Sequence, residues 1–133
     1  MAFGEERVYA PEATDLLVLT FGNGVPMSLR AARTIEAERG WRVRVVDLRW
    51  LLPLNEGAIA RHVAECDRVL VVDEGRRSAG VGEGIVTAIT EAGFGDRPLR
   101  RVVGADTFTP LAGAAFLVIP SEADIVAAAS AMA

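Results

Sequence analysis

The chain has 133 residues, half of them hydrophobic and a quarter charged, which is enough for one domain with a real core and too few for two. A net charge of -4 gives no electrostatic reason to expect nucleic acid, whose phosphates favour a basic face. A single cysteine, Cys66, excludes an internal disulfide and makes a reducing, cytoplasmic compartment the default.

The opening "MAFGEERVYAPEATD" meets charge at Glu5, Glu6 and Arg7 and lacks the apolar stretch of a secretory signal. Residues 1–15 therefore read as a lead-in, with "RVYA" at 7–10 as a short extra strand, and 16–133 as the domain proper. The first full strand is predicted over 16–20. Leu29, Ala32 and Ile35 then recur at helical spacing after Pro26, and Gly40 ends that helix. A second strand covers 43–48. Asn55 caps a second helix that carries Ile59, Val63 and Cys66 on one face. A third strand covers 69–73, followed by a glycine-rich loop. Val81, Ile85, Ala88, Ile89 and Ala92 form a helical stripe closed by Gly93. A fourth strand spans 101–104. The last helix starts at Ser121, with Asp124 completing a capping box, and carries Ile125, Ala128, Ala129 and Met132.

The strands are near-continuous in Val and Leu, as in sheets buried on both faces. Strand alternating with helix predicts an α/β domain with helices on both faces of a mostly parallel sheet. The longest apolar runs, such as "LLVLTF", are strand-length, so no membrane span is expected. Every basic residue is arginine, and Ala and Gly abound, which points to a GC-rich bacterial genome.

Three features could carry chemistry. Gly22-Asn23-Gly24 lies between a strand and a helix, and Asp47 ends the next strand, where a dinucleotide fold keeps its ribose-binding acid. The third glycine of that fingerprint is replaced by Met27, so a tight turn accounts for the pair equally well. "VVDEGRRSAGVGEGI", residues 71–85, resembles a phosphate loop in composition only. It has no lysine, and Glu83 sits in the first turn of the following helix, where its charge competes with a bound anion. His62 and Cys66 stand four apart on one helix face, a spacing that fits a base and nucleophile or half a metal site. No further histidine or cysteine exists to complete either, and nothing pairs His62 with a particular serine. The residues alone therefore identify no catalytic, cofactor-binding or metal site.

The motifs taken together resemble a known family. Asp47-Leu48-Arg49, Pro53-Leu54-Asn55, Val71-Val72-Asp73-Glu74, Arg77 and Gly80/Gly82 follow, in order, the pattern of the C-terminal domain of the beta subunit of thiamine-diphosphate-dependent 2-oxo acid dehydrogenases of the pyruvate and branched-chain type. "TFGNGV", "RRVVGADTFTP" and "IPSEADIVAAA" resemble its first full strand, closing strand and last helix, so the likeness runs from about residue 4 to 132. The same domain type ends transketolases and deoxyxylulose-phosphate synthases, and 2-oxo acid:ferredoxin oxidoreductases are a further related class. "DLRWLLPLNE" leans toward the dehydrogenases. A stand-alone nucleotide-binding regulator using Gly22, Gly24 and Asp47 is the alternative of a different kind. Asn55 replaces the family's Asp, Ala79 a common glycine, and Trp50 a small residue.

The resemblance implies a three-layer α/β/α fold. "RVYA" becomes a fifth, antiparallel strand, and the sheet order is 1-3-2-4-5. It implies that thiamine diphosphate and Mg²⁺ are held by other domains and that this domain contributes no cofactor ligand. Its role is then to pack on cofactor-binding domains or subunits, build the subunit interface and help dock the lipoyl acyltransferase core. Asp73, Glu74, Arg76, Arg77, Gly80 and Gly82 become an interface loop, with Arg77 bonding an acid or carbonyls and Arg76 facing solvent. In isolation a homodimer is expected, through the last helix near Ile125 and Met132 and the preceding "PLAGAAFLVIP". The chain reads as a fragment or a split subunit, inactive alone.

Overall fold

Branched apolar runs make the centre of one sheet. The structure is a computed structural model describing residues 3–133; the first two residues of the expected lead-in lie outside it. In chain order it contains β1 (Arg7–Tyr9), β2 (Leu16–Thr20), α1 (Gly24–Arg39), β3 (Val43–Asp47), α2 (Glu56–Glu65), β4 (Val69–Arg76), α3 (Val81–Ile89), β5 (Leu99–Gly104) and α4 (Glu122–Ser130). A wide helical turn, Thr90–Phe94, follows α3, and a 3₁₀ turn, Ala112–Leu117, precedes α4.

The sheet order is β1-β3-β2-β4-β5. All pairings are parallel except β1 with β3, which is antiparallel, with Val8 opposite Val46. This is the expected three-layer α/β/α arrangement. Side chains alternate between the faces because successive Cβ atoms of a strand point to opposite sides. Leu16, Val18, Val43, Val45, Leu70 and Val72 face α1 and α4. Leu17, Leu19, Val46, Val69 and Val71 face α2 and α3. Each such side chain contributes about 1.5–3 kcal/mol on burial.

The helix signals act where the sequence puts them. Asn55 Oδ1 accepts the Ala58 N–H at 3.1 Å, and Gly40 takes the left-handed conformation at φ 69°. Ser121 and Asp124 form a complete capping box. Boundaries differ at β4, which continues to Arg76, and at α3, which stops at Ile89 short of Ala92. The stretch Ala112–Ser130 is long and apolar enough by composition to cross a bilayer. It is two helices broken around Pro120, however, and α4 buries one face in the core.

One expectation is corrected. Ile125, expected on an association face, is fully buried against the sheet. Met132 is only partly buried and packs against the same cluster. Helical periodicity identifies a stripe, and here that stripe serves the domain's own core. We therefore expect Ile125→Ala to cost about 2–5 kcal/mol of stability and Met132→Ala far less, measured by urea unfolding. Equal small losses would mean that α4 is not seated on the sheet.

Candidate functional site

All the parallel strands point the same way, so the turns that follow β2, β3, β4 and β5 gather at one end of the sheet. The loop after β4 carries most of the charge. Its centre is Asp73, which is 3% exposed. Its Oδ1 accepts the Gly75 N–H at 2.7 Å and its Oδ2 the Gly82 N–H at 2.8 Å. Gly82 lies in the first turn of α3, so the carboxylate sits against the positive end of that helix. The glycines follow from this wrapping. A Cβ on Gly80 would come within 2.8 Å of the Arg76 carbonyl oxygen and 3.0 Å of Asp73 Oδ2. One on Gly82 would lie 3.2 Å from that same oxygen.

Two further acids hold the rest of the loop. Asp106 accepts both the backbone N–H and the hydroxyl of Ser78, at 2.8 and 2.7 Å. Those bonds hold its carboxyl below the usual range, and the nearby Arg77 and Arg76 charges add to the effect. Glu83 accepts the Ala79 N–H at 3.0 Å, with Ala79 in the left-handed region at φ 58°. The amides of Gly75, Ser78, Ala79 and Gly82 are thus all taken by internal carboxylates. The loop has the glycines of a phosphate loop and an internal anion where the phosphate would sit.

The Gly22–Gly24 turn is closed in the same manner. Asn23 Nδ2 donates to Glu74 Oε1 at 2.8 Å, bringing a carboxylate beside the first turn of α1. Thr20 Oγ1 donates to the Val72 carbonyl at 3.0 Å, and a Cβ on Gly24 would collide with that hydroxyl oxygen at 2.1 Å. Gly24 therefore serves close packing of β2, β4 and α1. Asp47 accepts the Arg49 N–H in a local turn. Among the described residues no group of His, Cys, Asp and Glu could hold a metal ion. A diphosphate with its Mg²⁺ does not fit residues so arranged.

Of the expected interface residues, Asp73, Gly80 and Gly82 build the loop from within, and Glu74 ties it to the Gly22 turn. Arg76 and Arg77 are exposed, and neither guanidinium makes a hydrogen bond or ion pair among the described residues. For Arg76 that matches expectation. Arg77 does not bond an acid or a carbonyl through its side chain; instead its own carbonyl accepts from Arg101 Nη1 at 3.2 Å. The reason is local supply: Asp73, Glu83 and Asp106 are already occupied by backbone N–H groups. Beside the loop lies an apolar shelf. Phe108, Leu111, Phe116 and Leu117 are 78–91% exposed. Three of these fall within the "PLAGAAFLVIP" stretch, while Phe108 and the acid Asp106 were not singled out from the sequence.

His62 and Cys66 do come together, around a third residue that the sequence did not mark. Arg44, 3% exposed on β3, donates to the Ala13 carbonyl and pairs with Glu65. Its Nη1 lies 3.2 Å from His62 Nδ1. Arginine can only donate, so Nδ1 accepts and the ring is neutral. His62 Nε2 lies 3.4 Å from Glu6 of the lead-in, close but without hydrogen-bond geometry. Burial lowers the His62 pKa from its ordinary 6.5; Glu6 opposes that shift, and the Arg44 charge reinforces it. Burial raises the Cys66 thiol, which makes it a poor nucleophile. The cluster joins β3, α2 and the lead-in and has no reactive member.

Two outcomes follow from these contacts. Asp73→Ala strands two N–H groups and is expected to cost about 3 kcal/mol; Asp73→Asn keeps one acceptor and should cost less, both read from denaturant midpoints. If the two variants match wild type, Asp73 does not organise the loop. His62 binds protons more readily unfolded than folded, so its contribution is present above the unfolded value near 6.5 and lost as pH falls through the lower folded value. Stability should accordingly decline as pH falls from about 6.5 toward the lower folded value, and His62→Gln should flatten this part of the profile. An unchanged profile would remove His62 as its source.

Comparison with known proteins agrees with this arrangement. Residues 6–125 match the family described as transketolase, C-terminal domain. A pyruvate dehydrogenase E1 component subunit beta of Staphylococcus aureus is 34% identical over 117 residues, covering 86% of this chain and 36% of that protein. A 3-methyl-2-oxobutanoate dehydrogenase subunit beta of Mycobacterium tuberculosis is 38% identical over 109 residues, 80% of this chain and 31% of its own. The chain thus spans about a third of the length of these curated relatives. Among solved structures, a split gene transketolase, an inactive beta4 tetramer, superposes with a TM-score of 0.84 over 99% of this chain and 42% of its own, at 23% identity. A 2-oxoglutarate:ferredoxin oxidoreductase from Magnetococcus marinus superposes with a TM-score of 0.65 over 98% of this chain and 20% of its own, at 17% identity. The structural likenesses establish the fold, and the family match together with the identity to the beta subunits establishes the lineage: this chain belongs to the transketolase C-terminal domain family.

Proposed function

We propose that the chain is an assembly domain of a thiamine-diphosphate-dependent 2-oxo acid dehydrogenase, the component that decarboxylates the 2-oxo acid and passes the acyl group to a lipoyl acyltransferase. The observation that carries this reading is the identity to beta subunits of a pyruvate and a branched-chain 2-oxo acid dehydrogenase, confined to about a third of their length. The loop geometry supports it. A glycine-rich loop in which the amides of Gly75, Ser78, Ala79 and Gly82 are taken by Asp73, Asp106 and Glu83 is built to hold a shape and to present Arg76 and Arg77 outward. Cofactor chemistry belongs to the cofactor, and in this reading thiamine diphosphate and Mg²⁺ sit in partner domains or subunits.

The partners are then the cofactor-binding parts of the same enzyme and the acyltransferase core, in the cytoplasm, where the single buried thiol of Cys66 stays reduced. In isolation the chain pairs with itself as a homodimer. With pyruvate or a branched-chain 2-oxo acid, thiamine diphosphate, Mg²⁺ and an artificial electron acceptor, the isolated chain should show no turnover. In the assembled enzyme, Arg77→Ala should weaken assembly and leave the single-turnover rate of saturated complex within about threefold, roughly 0.7 kcal/mol. Turnover by the chain alone that disappears when one of its residues is mutated would overturn the assignment, as would a slowed chemical step with assembly unchanged.

A further inference from the structure

Ser78 is the one serine or threonine of the chain with two arginines directly before it. It is exposed on the bend between β4 and α3, outside helix and strand. Together with Arg76, Asp106 and Phe108 it borders an open groove of about 550 Å³. Thr34, also exposed, follows only one arginine and lies within α1.

The Ser78 hydroxyl donates to Asp106 Oδ2 at 2.7 Å, and its backbone N–H donates to Oδ1 at 2.8 Å. The guanidiniums of Arg76 and Arg77 have no partner among the described residues. Both charges nevertheless reach this spot, since each helps to hold the Asp106 carboxyl below the usual range. Ser78 thus lies between one carboxylate already engaged and two cations that are not.

We propose that Ser78 is a phosphorylation site, modified by an arginine-directed serine kinase with ATP as the donor. Kinases select substrates by charge pattern, and an acidic kinase cleft takes Arg76 and Arg77 as its anchors. In the step, Ser78 Oγ forms a bond to the γ-phosphorus. The bond from that phosphorus to the bridging oxygen breaks, and ADP leaves with the electron pair. The hydroxyl proton passes to the general base of the kinase. Ser78 Oγ is then an ester oxygen with no proton for Asp106, and it carries a group of about -1.5 to -2 charges at pH 7. That group repels Asp106 and meets two guanidiniums whose forks suit it. Phosphorylation therefore exchanges one partner for another. The side-chain tie between the loop and the residues after β5 is lost, and the two outward cations are neutralised from within. The free chain is the substrate, before the loop is covered. The consequence for assembly rests on the role proposed above for Arg77; the modification itself does not.

The chain as it stands is incubated with Mg²⁺, ATP and the catalytic subunit of cyclic-AMP-dependent protein kinase as the probe, and phosphate is located by peptide mass spectrometry. The expected result is a single phosphate, on Ser78. Ser78→Ala should abolish it and Thr34→Ala leave it unchanged. Arg76→Gln/Arg77→Gln should slow incorporation at least ~10-fold, the worth of one charge-assisted contact. Circular dichroism checks the fold of each variant. With phosphoserine encoded at position 78, phosphorus NMR gives a second reading. The phosphate should titrate below its ordinary value of about 6 and return toward that value when both arginines are glutamine. Chain purified from its own cells should carry the same phosphopeptide. Its absence through growth and starvation would overturn the site, as would no incorporation by the probe or a phosphate that persists in Ser78→Ala. A phosphate indifferent to the two glutamines would overturn the exchange of partners. In the assembled enzyme, phosphoserine at 78 should weaken assembly as Arg77→Ala does. If Arg77→Ala weakens assembly and the phosphate does not, the regulatory consequence falls. If neither does, the interface reading of the loop falls while the phosphorus titration still upholds the site.

Discussion

The arrangement at the end of the sheet depends on one carboxylate. Asp73 stands where a parallel strand gives way to a helix, the position from which many α/β folds reach for a ligand anion. It accepts from Gly75 on one side and Gly82 on the other. The bulge in the pairing of β4 with β5, between Asp73 and Arg76, follows from that grip. So does the room required at Gly80 and Gly82. Once the helix end carries an internal negative charge, an external one has little to gain there. The loop is then free to differ in what it shows to solvent while its backbone is fixed.

The same logic separates what the sequence makes legible from what it does not. The strands could be read because runs such as Leu16–Thr20 are apolar throughout, which only a sheet covered on both faces requires. The helix ends could be read because Asn55, Gly40 and the Ser121–Asp124 pair act within a few residues of themselves. The strand order and the antiparallel β1 came from family likeness; local pattern carries no information about which strands neighbour each other. The loop contacts are of the third kind. Asp106 and Ser78 are 28 positions apart, and nothing near either residue announces the other. Ile125 and Phe116 show the limit most plainly. Both are large apolar residues near the start of α4, yet one is buried and the other 78% exposed. Periodicity defines a face but does not say whether water or protein covers it.

Arg44 is a further case. A charged residue within a strand of valines reads as an interruption, yet it is buried and bonded to Ala13, His62 and Glu65. A buried guanidinium needs several acceptors to be tolerated, and these come from two separate parts of the chain, the segment before β2 and α2. Polar burial of this kind fixes how the lead-in and α2 sit on the sheet more firmly than apolar contact does, because only one arrangement satisfies all the donors.

The lead-in has a consequence of another sort. β1 covers the outer side of β3 with three residues, Arg7 to Tyr9, running against the direction of the sheet. Phe3 reaches back to Trp50, Gly4 accepts from Asn55, and Glu6 meets Arg61. Without that strand, β3 would offer a row of free amides and carbonyls bordered by valines, a template on which foreign strands add readily. The short antiparallel segment is therefore a guard against amyloid-type stacking. It does this cheaply, since a strand so short leaves little edge of its own to be copied.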